Sequence, residues 1–360
     1  MKQNLLSIFL FITTCGQAQL SGGALSLYHS AYLQDSLLVA YTVANGAQIF
    51  PTPDNNSFYL QWFPPGAAPN QTPVVVSLPG SNCNAFMEFK SWYPRASAMG
   101  VGIIAIQYYR YKPTPPFDYF PDDTLYGYVS AALRNISYPS HRALLHGFSR
   151  GASRSYAMNF YDRQSGNNYF CTTIANSGDA NLTYPLYAAI NSGTYGAQVF
   201  AGHHWNLFCG ANDTLIGCAK MSATNTWLQS QGATVDIFIQ DPVMGHDGFQ
   251  LPTSDNYKDS FLHQYLKCYT GALQIDALSL PESISVFPNP AASYFTIAAI
   301  DRNMNCVSIA NVFGTIVKQI SSFTERTSVP IEDLPPGCYQ LLFCENGKVM
   351  QVRKLVVNQP

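Results

Sequence analysis

The stretch Ala143-Leu144-Leu145-His146-Gly147-Phe148-Ser149-Arg150-Gly151-Ala152 constrains this chain more than any other. It is an apolar strand running into G-x-S-x-G, the pattern of a tight strand-to-helix elbow with a serine at its apex. Such an elbow strains the serine backbone, and its flanks must be too small to clash, which Gly147 and Gly151 satisfy. The following segment, Arg150 through Ala152, Ser153, Tyr156, Ala157 and Phe160, reads as a helix. Its N-terminal N–H groups and positive dipole end would face any oxyanion formed beside Ser149.

Composition narrows what such a serine can serve. The 360 residues are long enough for two domains, and 47% hydrophobic with 14% aromatic residues supplies ample core. Charged residues are only 11% and the net charge is -2, which leaves no basic surface for nucleic acid or for an anionic membrane. Residues 1–18 read as a secretory signal, with Lys2, the apolar run Leu5 to Ile12, and Gly16-Gln17-Ala18 as a small-x-small cleavage site. That run is far short of the ~20 residues a membrane span needs. Cys15 offers a lipoprotein alternative, disfavoured by the threonine just ahead of it. Nine cysteines suit an oxidising compartment, without a metal-site spacing. A Cys209–Cys218 disulfide would close a short loop, but connectivity stays open.

Taken in order, Leu37 to Val43 is expected as a strand, Ser57 to Phe63 as another, and Val74 to Leu78 as a central strand ending in Pro79-Gly80-Ser81-Asn82. Val101 to Gln107 is a further central strand. Asp123 to Leu133 can start a helix, and strands resume at Phe170 to Ala175, Trp205 to Cys209 and Val235 to Ile239, with a helix over Ser222 to Gln231. Strands alternating with helical crossovers indicate an α/β architecture, a mostly parallel sheet covered on both faces.

A serine hydroxyl is a weak nucleophile until an imidazole takes its proton, and the imidazole needs an anion to fix its tautomer. In this architecture the partners follow in the order Ser, Asp, His, on loops after later strands. Gly210-Ala211-Asn212-Asp213 and Gly245-His246 fit that order. Asp179 is the rival acid, and His203 and His204 are secondary candidates. His29, His141, His146 and His263 read as surface or core residues.

These motifs resemble those of the secreted α/β-hydrolases over about residues 25 to 270, notably the branch with polyhydroxybutyrate depolymerases, feruloyl esterases and acetyl xylan esterases. The resemblance rests on Gly147-Phe148-Ser149-Arg150-Gly151, Gly210-Ala211-Asn212-Asp213 and Gly245-His246. It implies a serine carboxylic-ester hydrolase that uses Ser149, Asp213 and His246 and no cofactor or metal. The oxyanion hole would be the backbone N–H of Arg150 plus one from Ser81 or Asn82. Pro79-Gly80 stands where many members have His-Gly, so the second donor is open. Its substrates would be polysaccharide-linked acyl or feruloyl esters, or polyesters. A serine peptidase of the same fold is the alternative, and a non-catalytic binding protein a more distant one.

Tyr108, Tyr109, Tyr111, Phe117, Tyr119 and Phe120 crowd between prolines after a central strand. They are expected either to line one wall of the substrate cleft or to pack as a rigid cap. Beyond the catalytic domain, 19–273, residues 274–283 read as a linker and 284–360 as a small immunoglobulin-like β-sandwich. Asn346-Gly347 there signals a hairpin. Phe287-Pro288-Asn289-Pro290, Gly314, Asp333-Leu334-Pro335-Pro336-Gly337-Cys338-Tyr339 and Val352-Arg353-Lys354-Leu355-Val356 closely resemble the C-terminal sorting domain of type IX secretion. That resemblance implies engagement of the secretion machinery and a secreted or cell-surface product.

Overall fold

The computed structural model describes residues 20–110, 119–273, 284–299, 306–311, 315–321, 326–345 and 348–358. The proposed signal segment, the linker, Tyr111, Phe117, Gly314 and the Asn346-Gly347 turn lie outside the described residues. The chain divides into two compact units, Met1–Thr270 and Gly271–Pro360.

The first unit opens with α1 (Gly22–Gln34) and α2 (Ser36–Ala44), then β1 (Gln48–Pro51), β2 (Phe58–Trp62), β3 (Val74–Leu78), α3 (Ala85–Ala98) and β4 (Gly102–Ile106). It continues with α4 (Asp122–Asn135), β5 (Ala143–Phe148), α5 (Arg150–Gln164), β6 (Phe170–Asn176), α6 (Pro185–Asn191), β7 (His204–Gly210), α7 (Gly217–Ser230), β8 (Thr234–Asp241) and α8 (Asp255–Leu273). Eight strands form one sheet in the order β1-β2-β4-β3-β5-β6-β7-β8. The pairs β1–β2 and β2–β4 are antiparallel, and all others are parallel. Every residue of β3, β4, β5 and β6 is buried, as uniformly apolar strands covered on both faces require. Parallel pairing sets the carboxyl ends of β3, β5, β6, β7 and β8 along one edge, where ligand sites of open α/β sheets form.

The Leu37 to Val43 segment differs from its expectation, because it is the helix α2. Asp35 precedes the run, and its Oδ1 accepts the Leu38 N–H at 2.9 Å as a cap. Leu38, Val39 and Thr42 then face inward at helical spacing while Leu37 is exposed. A short apolar run has the same appearance in either conformation until its ends are read.

The second unit is all β. Strands β9 (Ile284–Phe287), β10 (Tyr294–Ala299) and β13 (Arg326–Pro330) make a three-stranded antiparallel sheet. Strands β11 (Cys306–Ala310), β12 (Ile316–Ile320), β14 (Gly337–Glu345) and β15 (Lys348–Val357) make a four-stranded one. Phe295, Ile297 and Val329 from the first sheet share one apolar core with Val307, Ile309, Leu341, Phe343 and Leu355 from the second. This is a small sandwich with its own interior.

Candidate active site

Ser149 sits between β5 and α5 with φ 52° and ψ -114°, a left-handed backbone that is costly for a residue with a side chain. The surroundings hold it there. A Cβ on Gly147 would lie 2.3 Å from the Gly151 carbonyl, and one on Gly151 would lie 2.1 Å from the Leu78 oxygen. Both positions therefore need glycine because the turn, the helix start and β3 touch backbone to backbone. The Ser149 N–H is tied to the Asn176 carbonyl at 2.8 Å, which anchors the elbow to β6.

His246 bridges the other two candidates. Its Nδ1 lies 2.8 Å from Asp213 Oδ2 and its Nε2 lies 2.8 Å from Ser149 Oγ. An ionised carboxylate only accepts, so Nδ1 carries the proton, and Nε2 is left to accept from the serine hydroxyl. Asp213 Oδ1 also accepts the N–H groups of Leu215 at 2.8 Å and Ile216 at 3.0 Å. Burial raises the Asp213 carboxyl, but the hydrogen bonds from His246, Ile216 and Leu215 outweigh it and hold it below the usual carboxylate range. Asp179 makes no such contact with His246.

Two loops that carry these side chains are laced together. The Ala211 N–H reaches the Asp241 carbonyl at 2.7 Å, and the Asn212 N–H reaches that of Met244 at 3.0 Å. Asn212 Nδ2 donates to the Val243 carbonyl at 3.0 Å. Asp241 Oδ1 accepts from Val243 and Met244, and its Oδ2 from the Tyr257 hydroxyl, which shapes the turn before His246. A disulfide joins Cys209 in β7 to Cys218 in α7 and closes the loop that carries Asp213 at both its ends. The Phe148 ring packs against the His246 ring at 5.2 Å.

Ser149 opens onto a cavity of about 280 Å³ lined by Ser81, Arg150, Arg154, Asp179, Tyr184 and Tyr187 among others. Ser81 and Arg150 line it, and Asn82 does not. A Cβ on Gly80 would fall 3.3 Å from Ser149 Cβ, so this loop passes directly over the serine. Ser81 Oγ accepts from Arg150 Nε at 3.2 Å, whereas Asn82, outside the cavity lining, receives Gln34 Nε2 on its carbonyl. Arg154, Tyr184 and Tyr187 are not apparent from motifs. Arg154 could have been found from the helix period, since positions 150, 153 and 154 share the side of α5 that follows Ser149. Arg154 is held by Asp122 at 2.7 Å and by the Tyr184 hydroxyl at 2.9 Å.

The aromatic loop is placed unequally. Tyr108 is fully buried with its hydroxyl on the Pro79 carbonyl at 2.7 Å, and Tyr109 and Phe120 are buried too. Tyr109 forms an antiparallel bridge with Tyr119, and the Arg110 guanidinium lies 4.2 Å from the Phe120 ring. Tyr119 is half-buried and lies 4.3 Å beneath the Arg150 guanidinium, beside the cavity. His203 and His204 lie at the start of β7, the opposite end of that strand from Asp213. His203 bonds Thr173 Oγ1 at 3.0 Å and His204 faces Asp236.

A model of the secretion system C-terminal sorting domain matches residues 285–358. This segment is a sorting domain. It directs the chain through type IX secretion to a secreted or cell-surface location and implies contact with that machinery. Among solved structures, fungal esterases from Rhizomucor miehei superpose with a TM-score of 0.50 at 12% identity, over 71% of this chain and 100% of theirs. The esterase LipW from Mycobacterium marinum gives 0.49 at 14% identity, over 71% and 92%. The Rhizomucor likeness establishes the α/β-hydrolase fold for the first unit. A search of curated proteins finds no match. No described helix is long and apolar enough to cross a membrane.

Proposed function

We propose that the first unit is a serine carboxylic-ester hydrolase working through an acyl-enzyme. The observation that carries this reading is the hydrogen-bonded line from Ser149 through His246 to Asp213 at the mouth of a cavity. In this reading Ser149 Oγ attacks the ester carbonyl while His246 Nε2 takes its proton. The same imidazole then returns the proton to the departing alcohol, and a water repeats the sequence to release the acid. Asp213 stays anionic and holds the Nδ1 proton throughout.

The developing oxyanion would meet the N–H of Arg150 at the start of α5, reinforced by the helix dipole. Ser81 is the better second donor, because it lines the cavity with Ser149 and Asn82 does not. Tyr184 and Tyr187, which line the cavity with Ser149, are the described aromatic residues placed to touch a ring-bearing ester, and Tyr119 stands behind the Arg150 guanidinium. Acyl-bearing polysaccharides and polyesters are the substrate classes to try first.

The test uses the purified protein with short-chain nitrophenyl esters, feruloyl and acetyl sugar esters, and a panel of aminoacyl amides. Ester turnover abolished by Ser149→Ala is the expected outcome. Amide turnover exceeding ester turnover would make the unit a peptidase, and turnover of neither class would leave a binding role.

A further inference from the structure

A second and larger space adjoins the site and has no part in the reaction described so far. It is a groove of about 780 Å³ between α2, α3, the segment 247–252 and the first turn of α8. The cavity at Ser149 holds about 280 Å³, and the two have no lining residue in common. The groove nevertheless begins where the site ends, because three of its residues are chain neighbours of site residues. Phe148 precedes Ser149, Asp247 follows His246, and Cys83 follows Ser81 and Asn82. The Phe148 ring joins these parts. It lies 5.2 Å from the His246 ring, and a Cβ on Gly80 would fall 2.8 Å from its Cδ1.

The lining suits an apolar occupant. Leu38, Tyr41, Met87, Phe148, Leu251 and Pro252 contribute most of it. Glu88 and Lys258 in its wall are each 1% exposed and already engaged. Ser77 Oγ donates to Glu88 Oε2 at 2.6 Å, and Lys258 Nζ donates to Asp255 Oδ1 at 3.2 Å. Asp35 is occupied as the cap of α2. A mainly apolar lining and a volume of about 300–1,000 Å³ are the general marks of a small-molecule site.

The direction of proton transfer says which part of an ester would lie there. In acyl transfer a bond forms from Ser149 Oγ to the carbonyl carbon, the bond from that carbon to the alcohol oxygen breaks, and the serine proton passes through His246 Nε2 to the departing oxygen. That oxygen must come within hydrogen-bond reach of Nε2, so the alcohol part departs on the side of His246. Phe148 and Asp247 set the groove on that side. The smaller cavity is lined instead from α5, α6 and the segment after β6, through Arg150, Arg154, Asp179 and Tyr184. We propose, on the hydrolase reading given above, that the groove binds the alcohol part of the ester and that this part is a large neutral apolar group, alkyl or aryl. The acyl part then occupies the smaller, more polar cavity.

The experiment takes the purified full-length protein through two ester series. In one the acyl group stays acetyl while the alcohol runs from methyl to octyl; in the other the alcohol stays methyl while the acyl group runs from acetyl to octanoyl. Along the first series kcat/KM should rise by about 100-fold or more, since each buried methylene is worth roughly fourfold, and along the second it should rise less. Met87→Trp fills the groove, and Leu251→Glu charges its lip at a residue that is 50% exposed. Each should lower the octyl-to-methyl ratio by about tenfold or more. A ratio equal to wild type in both variants, or a steeper dependence on the acyl group than on the alcohol, would overturn the proposal. Titration calorimetry of the Ser149→Ala protein with octanol and with methanol needs no turnover. Binding of octanol alone, weakened when Met87→Trp is added, is expected. Esters hydrolysed without octanol binding would remove the groove from the reaction, whereas octanol bound by a protein that hydrolyses no ester would remove the hydrolase reading and leave the groove a site for an apolar ligand.

Discussion

In the proposed reaction the hydrogen-bond line through Ser149, His246 and Asp213 works only as a set, because the serine needs the base and the base needs the anion. Ser149→Ala or His246→Ala should each lower kcat by about 10⁴ to 10⁶, and Asp213→Ala somewhat less, with the fold retained. Single-turnover kinetics on a nitrophenyl ester measures this, and an Asp179→Ala loss exceeding that of Asp213→Ala would move the acid. Gly178 is a subtler position, which no motif marks. A Cβ there would fall 2.0 Å from the Ser149 carbonyl oxygen and 2.7 Å from the Ala152 Cβ. Gly178→Ala must therefore displace the elbow itself, and kcat should fall at least 100-fold with a lowered Tm, although no group that touches substrate is removed. Activity and Tm both within error of wild type would show that the elbow tolerates the shift.

Among the elements, the ones read correctly are those whose pattern admits a single conformation. Val74 to Leu78 is closed by Pro73 and by Pro79-Gly80, and Ala143 to Phe148 runs into the glycines around Ser149, which permit only a tight turn, so the ends of both runs mark them as buried strands. Asp213 and His246 were legible because each follows such a strand in the expected order; His246 lies against Ser149, and Asp213 lies against His246. Helix α2 was not legible from its interior, since a seven-residue apolar run lacks a diagnostic period and only its Asp35 cap reveals it. Helix α1 opens on two glycines without a side-chain cap, and its buried stripe is only Ala24, Leu27 and Ala31, so little in the sequence announces it. Tyr184 and Tyr187 reach the cavity only through the placement of α6, a tertiary fact without a local signature. His203, at the start of β7, shows what such placement costs. Burial, then the charge of Arg163, lowers its pKa from 6.5 to about 3, so the folded unit keeps it neutral. The unfolded chain binds a proton below about pH 6.5 and the folded one does not until about pH 3. This contribution to stability is thus complete above 6.5 and is lost as the pH falls toward 3. Between pH 6.5 and 5 the loss should be about 2 kcal/mol, and His203→Gln should remove most of it. Urea unfolding of both proteins at the two pH values tests this; an equally steep loss in the variant would place the acid sensitivity elsewhere.

For the whole molecule, the proposed chemistry and the address belong to units with separate cores. The buried cluster of the first unit runs from Ala24 to Tyr269, and that of the second from Ala291 to Val357. Ser149, Asp213, His246 and the cavity residues all belong to the first, whereas the sorting-domain match lies wholly in the second. A chain ending at Leu273 keeps every strand of the eight-stranded sheet and every hydrogen bond of the proposed triad. It should therefore retain kcat and KM on a small ester within about twofold, and unfold cooperatively by itself. In a host with type IX secretion the same truncated chain should accumulate inside the cell envelope, while the full chain reaches the exterior. Activity in each fraction, normalised to the protein detected there by antibody, reads both consequences at once. Loss of specific activity on truncation would make the second core part of the working enzyme, and export of the truncated chain would deny it the role of address. Because the two readouts depend on different cores, either half of the prediction can fail without the other.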